Sequence, residues 1–285
     1  MDYVYIKKDG YSFSLKKSLE CGQFFHFEEL SEGEYAIVIK DTLVHAREYD
    51  DRIIFYGMDE EVFEERLAQF FDLNRDYDHI CKCIVSADPR LEEAVVSERG
   101  LRIFSQDFFE CLISFIISAN NQIPRIKRAV FDISRTYGRE IGSIGGRTYY
   151  AFPAPCELAR ADEETLRDLK VGFRASYIMD AVSNVLEGRI SYGELLGDEE
   201  ACLLKLKSIK GVGNKVAACV MLFSLGYYNA FPVDTWIKKI MQKMYMPDEE
   251  DVKKMEEFGR NLFGEYGGFA QQYLFVSARK KPIKE

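Results

Sequence analysis

The 285-residue chain has no long uncharged apolar run. That argues against a membrane span, because crossing the hydrocarbon layer takes about twenty consecutive apolar residues. The opening stretch, Met1-Asp-Tyr-Val-Tyr-Ile-Lys-Lys, lacks the apolar core of a secretory signal, so a cytoplasmic protein is expected. There are only three histidines, and the seven cysteines are odd in number, scattered and mostly set in apolar stretches. They read as reduced, buried thiols. Cys81 and Cys83 are too close to form half of the usual zinc pair, and a structural zinc site is not expected. No cysteine follows Cys219, which excludes a four-cysteine iron–sulfur loop near the C-terminus. The chain also lacks positive net charge: the balance is −9 with a pI near 5.1, whereas nucleic-acid binders usually show a basic footprint.

A net charge is a sum, and the charges here are segregated. Basic residues gather at 125–128, from Lys205 to Lys215, at Lys238-Lys239 and at 279–281, while acids gather at 59–65, 162–164, 198–200 and 248–251. Such a chain can carry one positive face on an acidic body. The hydrophobic fraction of 47% and charged fraction of 30% are those of an ordinary globular protein.

Residues 1 to about 57 read as strands. Tyr3–Ile6, Phe24–Phe27, Tyr35–Ile39 and Arg52–Tyr56 are short, β-branched or aromatic, and separated by turns rich in Gly and Glu, which predicts an antiparallel sheet of about five strands. From Met58 the apolar spacing becomes helical. Helices are predicted over 106–119, 123–137, 174–186, 215–225, 235–244, 249–263 and 269–278, with a loop at 142–155 between two helical groups. The fold class is α+β: an N-terminal antiparallel sheet region with a flanking helix (1–75), packed on a mostly helical body (76–285).

The sharpest chemistry lies in Leu206-Lys-Ser-Ile-Lys-Gly-Val-Gly-Asn-Lys215-Val-Ala. A helix ends near Ser208, Gly211-Val212-Gly213 makes a tight hairpin, and a second helix starts at about Asn214, giving a helix-hairpin-helix over about 202–226. Glycines permit backbone angles and close approaches that side chains forbid. The unpaired N–H groups and positive dipole end of the second helix then suit a phosphate. Gly211, Gly213 and Asn214 form this grip, which reads no sequence. The alternative is an ordinary helical hairpin. Nineteen residues on, Phe231-Pro-Val-Asp234-Thr opens another helix. Asp234 or Thr235 there suits an N-cap. Taken as a pair, a lysine at a helix N-terminus and a carboxylate suit nucleophilic attack on a glycosidic carbon. The lysine attacks only as the neutral amine, which the dipole favours, and the acid can shuttle protons and stabilise a cationic sugar.

These two segments resemble the helix-hairpin-helix Gly-Pro-Asp superfamily of DNA glycosylases, and within it the 8-oxoguanine DNA glycosylase/lyases. The resemblance implies that Lys215 displaces the base at C1′ and forms an imine with the sugar, that elimination of the 3′ phosphate follows, and that Asp234 assists. It extends over nearly the whole chain. At Ser105 to Ile126 it gives Asn120 the gap left by the flipped base, with Arg125 and Arg174 bonding the orphaned cytosine and Phe173 wedging against the bases. The alternatives are a helix C-cap for Asn120 or Asn121 and solvated charge for the arginines. At Tyr266 to Val276 it gives Gln271 the Watson–Crick edge of the lesion and stacks the base between Phe275 and Cys219, although an exposed amide and core packing are the plain alternatives. At Ser18 to Phe25 it gives the carbonyl of Gly22 the extra N7 proton of 8-oxoguanine, a donor guanine lacks; a turn glycine is the alternative. It also implies a structural Na⁺, K⁺ or Ca²⁺ on the carbonyls of Lys207, Ile209 and Val212, with no cofactor in catalysis. The implied partner is double-stranded DNA bearing an oxidised purine, bound by a monomer and away from any membrane.

The chain departs from that pattern in three places. Trp236 stands where eukaryotic members often have His, Gln122 replaces a third Asn, and Phe173 replaces a common Tyr. Three rivals remain at this level. A monofunctional alkylated-purine glycosylase would activate water and need no Lys215. A non-enzymatic DNA-binding protein would need no Asp234. A helical interaction protein would bind no DNA.

Overall fold

The computed structural model describes residues 3–8 and 12–280; Met1 and Asp2 of the opening stretch and Lys281 of the last basic cluster lie outside them. Five strands form one antiparallel sheet: β1 (Tyr3–Lys7), β2 (Phe27–Ser31), β3 (Glu34–Ile39), β4 (Thr42–Glu48) and β5 (Arg52–Tyr56), in the order β1-β5-β4-β3-β2. Helix α1 (Leu15–Glu20) interrupts the strand region, capped by Ser14, whose side chain accepts from Lys17 N. Strand β3 is apolar on both faces because both are covered. Tyr35, Ile37 and Ile39 join a core with Phe55, Phe71 and Phe104, while Ala36 and Val38 face Tyr149 and Phe131.

Two expectations are corrected. Phe24-Phe25-His26 is not part of a strand, since the strand starts only at Phe27. Its aromatics are buried where sheet meets helices, and burial rather than pairing explains their apolar character. The stretch 142–155 is not wholly loop: its first part belongs to a hairpin, β6 (Glu140–Ile144) with β7 (Arg147–Tyr150), turning at Gly145 and Gly146, both at positive φ. That hairpin supplies Tyr149 to the second face of the sheet.

The helical body comprises α2 (Tyr77–Ala87), α3 (Phe108–Ser118), α4 (Ile123–Tyr137), α5 (Ala175–Leu186), α6 (Glu199–Lys207), α7 (Asn214–Phe223), α8 (Thr235–Met244), α9 (Val252–Phe263) and α10 (Gly267–Lys280), with shorter turns between. Helix α3 is its axis, with ten of its eleven residues buried. Asp107 caps it, accepting from Phe109 N and Glu110 N. Its one charged residue, Glu110, meets His26 Nδ1 at 3.0 Å and so ties the sheet region to the body. Burial pushes the Glu110 carboxyl above the ordinary range, with His26 opposing. The axis ends at Ser118, against α7 and the loop that begins at Asn120.

Candidate active site

The hairpin between α6 and α7 is built from two glycines with different duties. Gly211 has φ +81, and a Cβ there would fall 2.1 Å from the ring of Tyr177, so both backbone and packing demand glycine. Gly213 sits in extended backbone as the N-cap of α7, and a Cβ on it would meet nothing within 4 Å. Its openness is toward solvent. No side chain caps α7, and the first backbone bond into the helix runs from Ala217 N to Gly213 O. The amides of the first turn are thus left for an outside acceptor. Asn214 places its own amide toward Glu256, at 3.4 Å. Lys210 N donates to Asp180 Oδ2 at 2.8 Å and anchors the hairpin to α5. At the end of α6, the Ile209 carbonyl already accepts from Val212 N at 3.1 Å.

Lys215, in the first turn of α7, donates from Nζ to Ser118 Oγ at 3.0 Å. Ser118 in turn donates to the Phe115 carbonyl at 2.7 Å, and the amine lies 4.9 Å from the Phe115 ring centroid. Among the described residues no carboxylate forms an ion pair with Lys215, so it is held by a neutral hydroxyl. Asp234 caps α8: its Oδ1 accepts from Trp236 N at 2.9 Å and Ile237 N at 2.8 Å. Capping uses one carboxylate oxygen and fixes the direction of the other. Lys215 and Asp234 line one cleft of about 850 Å³. Gly22, Asn120, Gly211, Gly213 and Phe275 line it too, as do Lys215, Lys238 and Arg279 from three of the four basic clusters, Lys238 being ion-paired with Glu250.

The other expected site residues stand behind or beside this lining. Cys219, one turn along α7 from Lys215, is buried, and burial pushes its thiol up to about 11 against the opposing pull of Lys215. It is a neutral thiol. Gln271 is 5% exposed, and its buried Oε1 has no partner among the described residues, an orphan acceptor that ordinary cores rarely tolerate. Asn120 is exposed with φ +50. The capping there is done by Asn121, which donates to Ile117 O and accepts from Gln122 N, and this leaves the Asn120 amide free. Arg174 spends its guanidinium on backbone: Nε donates to Ala119 O at 2.8 Å, Nη2 to Asn120 O at 2.9 Å and Nη1 to Val171 O at 3.1 Å. It therefore clamps the loop that carries Asn120. Phe173 is 55% exposed. Its ring lies 4.4 Å from the Arg174 guanidinium and edge-on to Tyr177, the same ring that backs Gly211. Arg125 is exposed in the first turn of α4. Ser118, Phe115 and Tyr177 escaped the sequence reading. Only their tertiary contacts mark them.

Among the described residues no group of three or more His, Cys, Asp or Glu could hold a metal ion, and no helix is long and apolar enough to cross a membrane.

The sequence and the fold match known proteins. Residues 113–265 match the HhH-GPD superfamily of base excision DNA repair proteins. Residues 5–112 match the 8-oxoguanine DNA glycosylase N-terminal domain. The structure superposes on a Clostridium acetobutylicum 8-oxoguanine glycosylase/lyase, solved with double-stranded DNA containing cytosine opposite 8-oxoG, with a TM-score of 0.94 at 39% identity, covering 99% of this chain and 97% of that one. An N-glycosylase/DNA lyase from Arabidopsis thaliana is 32% identical over 93% of this chain and 77% of its own length. A probable N-glycosylase/DNA lyase of Methanothermobacter thermautotrophicus is 32% identical over 80% of this chain and 79% of its own. The chain is a helix-hairpin-helix base excision repair protein. Within that superfamily it belongs to the 8-oxoguanine DNA glycosylase family.

Proposed function

We infer that this protein is a bifunctional DNA glycosylase and abasic-site lyase that removes 8-oxoguanine paired with cytosine from duplex DNA. The observation that carries the reading is the Lys215 amine, unpaired by any carboxylate among the described residues and sharing one cleft with Asp234 at the mouth of an uncapped hairpin.

The hairpin amides at Gly211, Gly213 and Asn214 take a backbone phosphate, and the lesion is rotated out of the stack into the cleft. Phe173 wedges the duplex while the free amide of Asn120 fills the gap; Arg125 and Arg174 serve the orphaned cytosine, Arg174 also positioning the Asn120 loop. The lesion stacks between Phe275 and Cys219. Gln271 Oε1 supplies the buried acceptor its Watson–Crick donors need, and the Gly22 carbonyl takes the N7 proton. The neutral amine of Lys215 forms a bond to C1′ as the C1′–N9 bond breaks, with the electron pair leaving on the base. The Asp234 carboxylate stabilises positive charge on the sugar and relays the proton the amine loses. Ring opening gives an imine between Lys215 and C1′. Loss of a C2′ proton then expels the 3′ phosphate.

No cofactor takes part in these steps. A structural Na⁺, K⁺ or Ca²⁺ would sit on the carbonyls of Lys207, Ile209 and Val212, where the Ile209 oxygen keeps a second lone pair beyond its turn bond. The protein acts as a monomer on cytoplasmic DNA. The test is chromatographic detection of free 8-oxoguanine together with strand scission at the same site. Native protein is expected to give both, and Asp234→Asn to bind the duplex but slow release by two orders of magnitude or more. Release without scission by native protein would turn the reading toward the water-activating glycosylases.

A further inference from the structure

The last turn of α10 carries a charge that the steps above leave unused. The Arg279 guanidinium lies 5.4 Å from the Phe275 ring centroid. A Cβ placed on Gly22 would be 3.5 Å from Arg279 Nη1 and 3.6 Å from Phe275 Cε1. All three residues line the cleft that holds Lys215 and Asp234. Among the described residues Arg279 has no carboxylate partner, and the Gly22 carbonyl accepts no hydrogen bond. A free donor fork lying over the ring on which a base would stack, and a glycine whose carbonyl accepts no hydrogen bond, are therefore neighbours in this cleft.

We propose that Arg279 is a specificity-determining residue that donates to the C8 oxygen of the flipped 8-oxoguanine while the Gly22 carbonyl accepts from its N7–H. The inference rests on the function proposed above. Oxidation alters guanine along one edge: N7 gains a proton, and the neighbouring C8 exchanges hydrogen for a carbonyl oxygen. One acceptor reads only the first change. A guanidinium beside it reads the second, because guanine would set a C–H against the fork and leave a desolvated charged donor unpaired. The contact with Phe275 holds the planar fork in place, a geometry a flexible ammonium reproduces less well.

Single-turnover rates on two duplexes that differ at one position test this, one bearing 8-oxoguanine and the other a preformed abasic site, each opposite cytosine. The comparison uses native protein, Arg279→Leu and Arg279→Lys. The ratio of base release to abasic-site cleavage should fall about ten- to a hundredfold in Arg279→Leu, and Arg279→Lys should recover part of it. Equal slowing on both duplexes would assign Arg279 to a phosphate or to the fold, and an unchanged ratio would leave it without a part in recognition; either overturns the inference alone. A native protein inert on both duplexes would overturn the functional reading and this inference with it.

Discussion

At the scale of single residues, the side chains proposed for the chemistry also hold the local structure. Asp234 is both the cap of α8 and the carboxylate of the cleft, so the two readings its sequence context allows are not exclusive. A cap by Asp234 or Thr235 was legible from Pro-Val-Asp-Thr alone, and a place in the cleft only from the pair with Lys215. The Ser118 hydroxyl that holds Lys215 was not, because 97 residues separate the partners and a serine before Ala-Asn-Asn has no local signature. Arg174 shows the same limit: its type and place suggest DNA, but its use on the carbonyls of Ala119 and Asn120 appears only in three dimensions. Cys219 gives a prediction at this scale. With its thiol pushed up to about 11 by burial, the reactive thiolate is scarce at neutral pH. Alkylation at pH 8 followed by peptide mass mapping should label the exposed Cys156 first and Cys219 more slowly by at least about a hundredfold. Labelling of Cys219 should rise roughly tenfold per pH unit up to that pKa. Comparable labelling of the two at pH 8 would contradict a buried, neutral Cys219.

At the scale of elements, long helices with strong periodicity were readable, and the two helices Ile123–Tyr137 and Thr235–Met244 begin and end at the predicted residues. Short elements were not. The hairpin of β6 and β7 has strands of five and four residues and carries Gly142, Gly145 and Gly146, a composition that reads as loop. Its pairing is fixed by the sheet face it covers. The segment at Phe24 reads as a strand because it is aromatic, yet it is aromatic because it is buried on several sides. The hairpin glycines are separable by experiment. Gly211→Ala should destabilise the protein by about 1–3 kcal/mol through its positive φ and the Tyr177 ring. Gly213→Ala should leave thermal stability almost unchanged, since the added methyl meets nothing within 4 Å, and should weaken binding to duplex DNA of any sequence under the proposed phosphate grip. Melting temperatures and fluorescence anisotropy of the two variants check this. A Gly213→Ala protein that binds as tightly as native would remove the hairpin from the phosphate grip.

At the scale of the whole molecule, an acidic chain that binds DNA must do so through a restricted surface. The net charge of −9 and the arrival of Lys215, Lys238 and Arg279 in one cleft are compatible because the charges are segregated along the sequence, and that segregation was legible before the fold. Its consequence is a steep response to salt. If the cleft and hairpin together neutralise four phosphates, affinity should fall about a hundredfold between 50 and 200 mM monovalent salt. The same loss should be seen for undamaged duplex, because the phosphate contacts carry no sequence. A flat salt profile would place the affinity elsewhere than in this face. The joining of sheet region and helical body by His26 and Glu110 was not readable, as neither residue stands out among 285.

The proposed chemistry turns on attack by Lys215 on the sugar. Borohydride reduction on a duplex with one 8-oxoguanine opposite cytosine tests it most directly, comparing native protein with Lys215→Gln. Native protein alone should give a covalent protein–DNA adduct stable to denaturing electrophoresis, and the variant should lose base release by several orders of magnitude. An adduct of equal yield from Lys215→Gln, or base release by both proteins with no adduct from either, would contradict it.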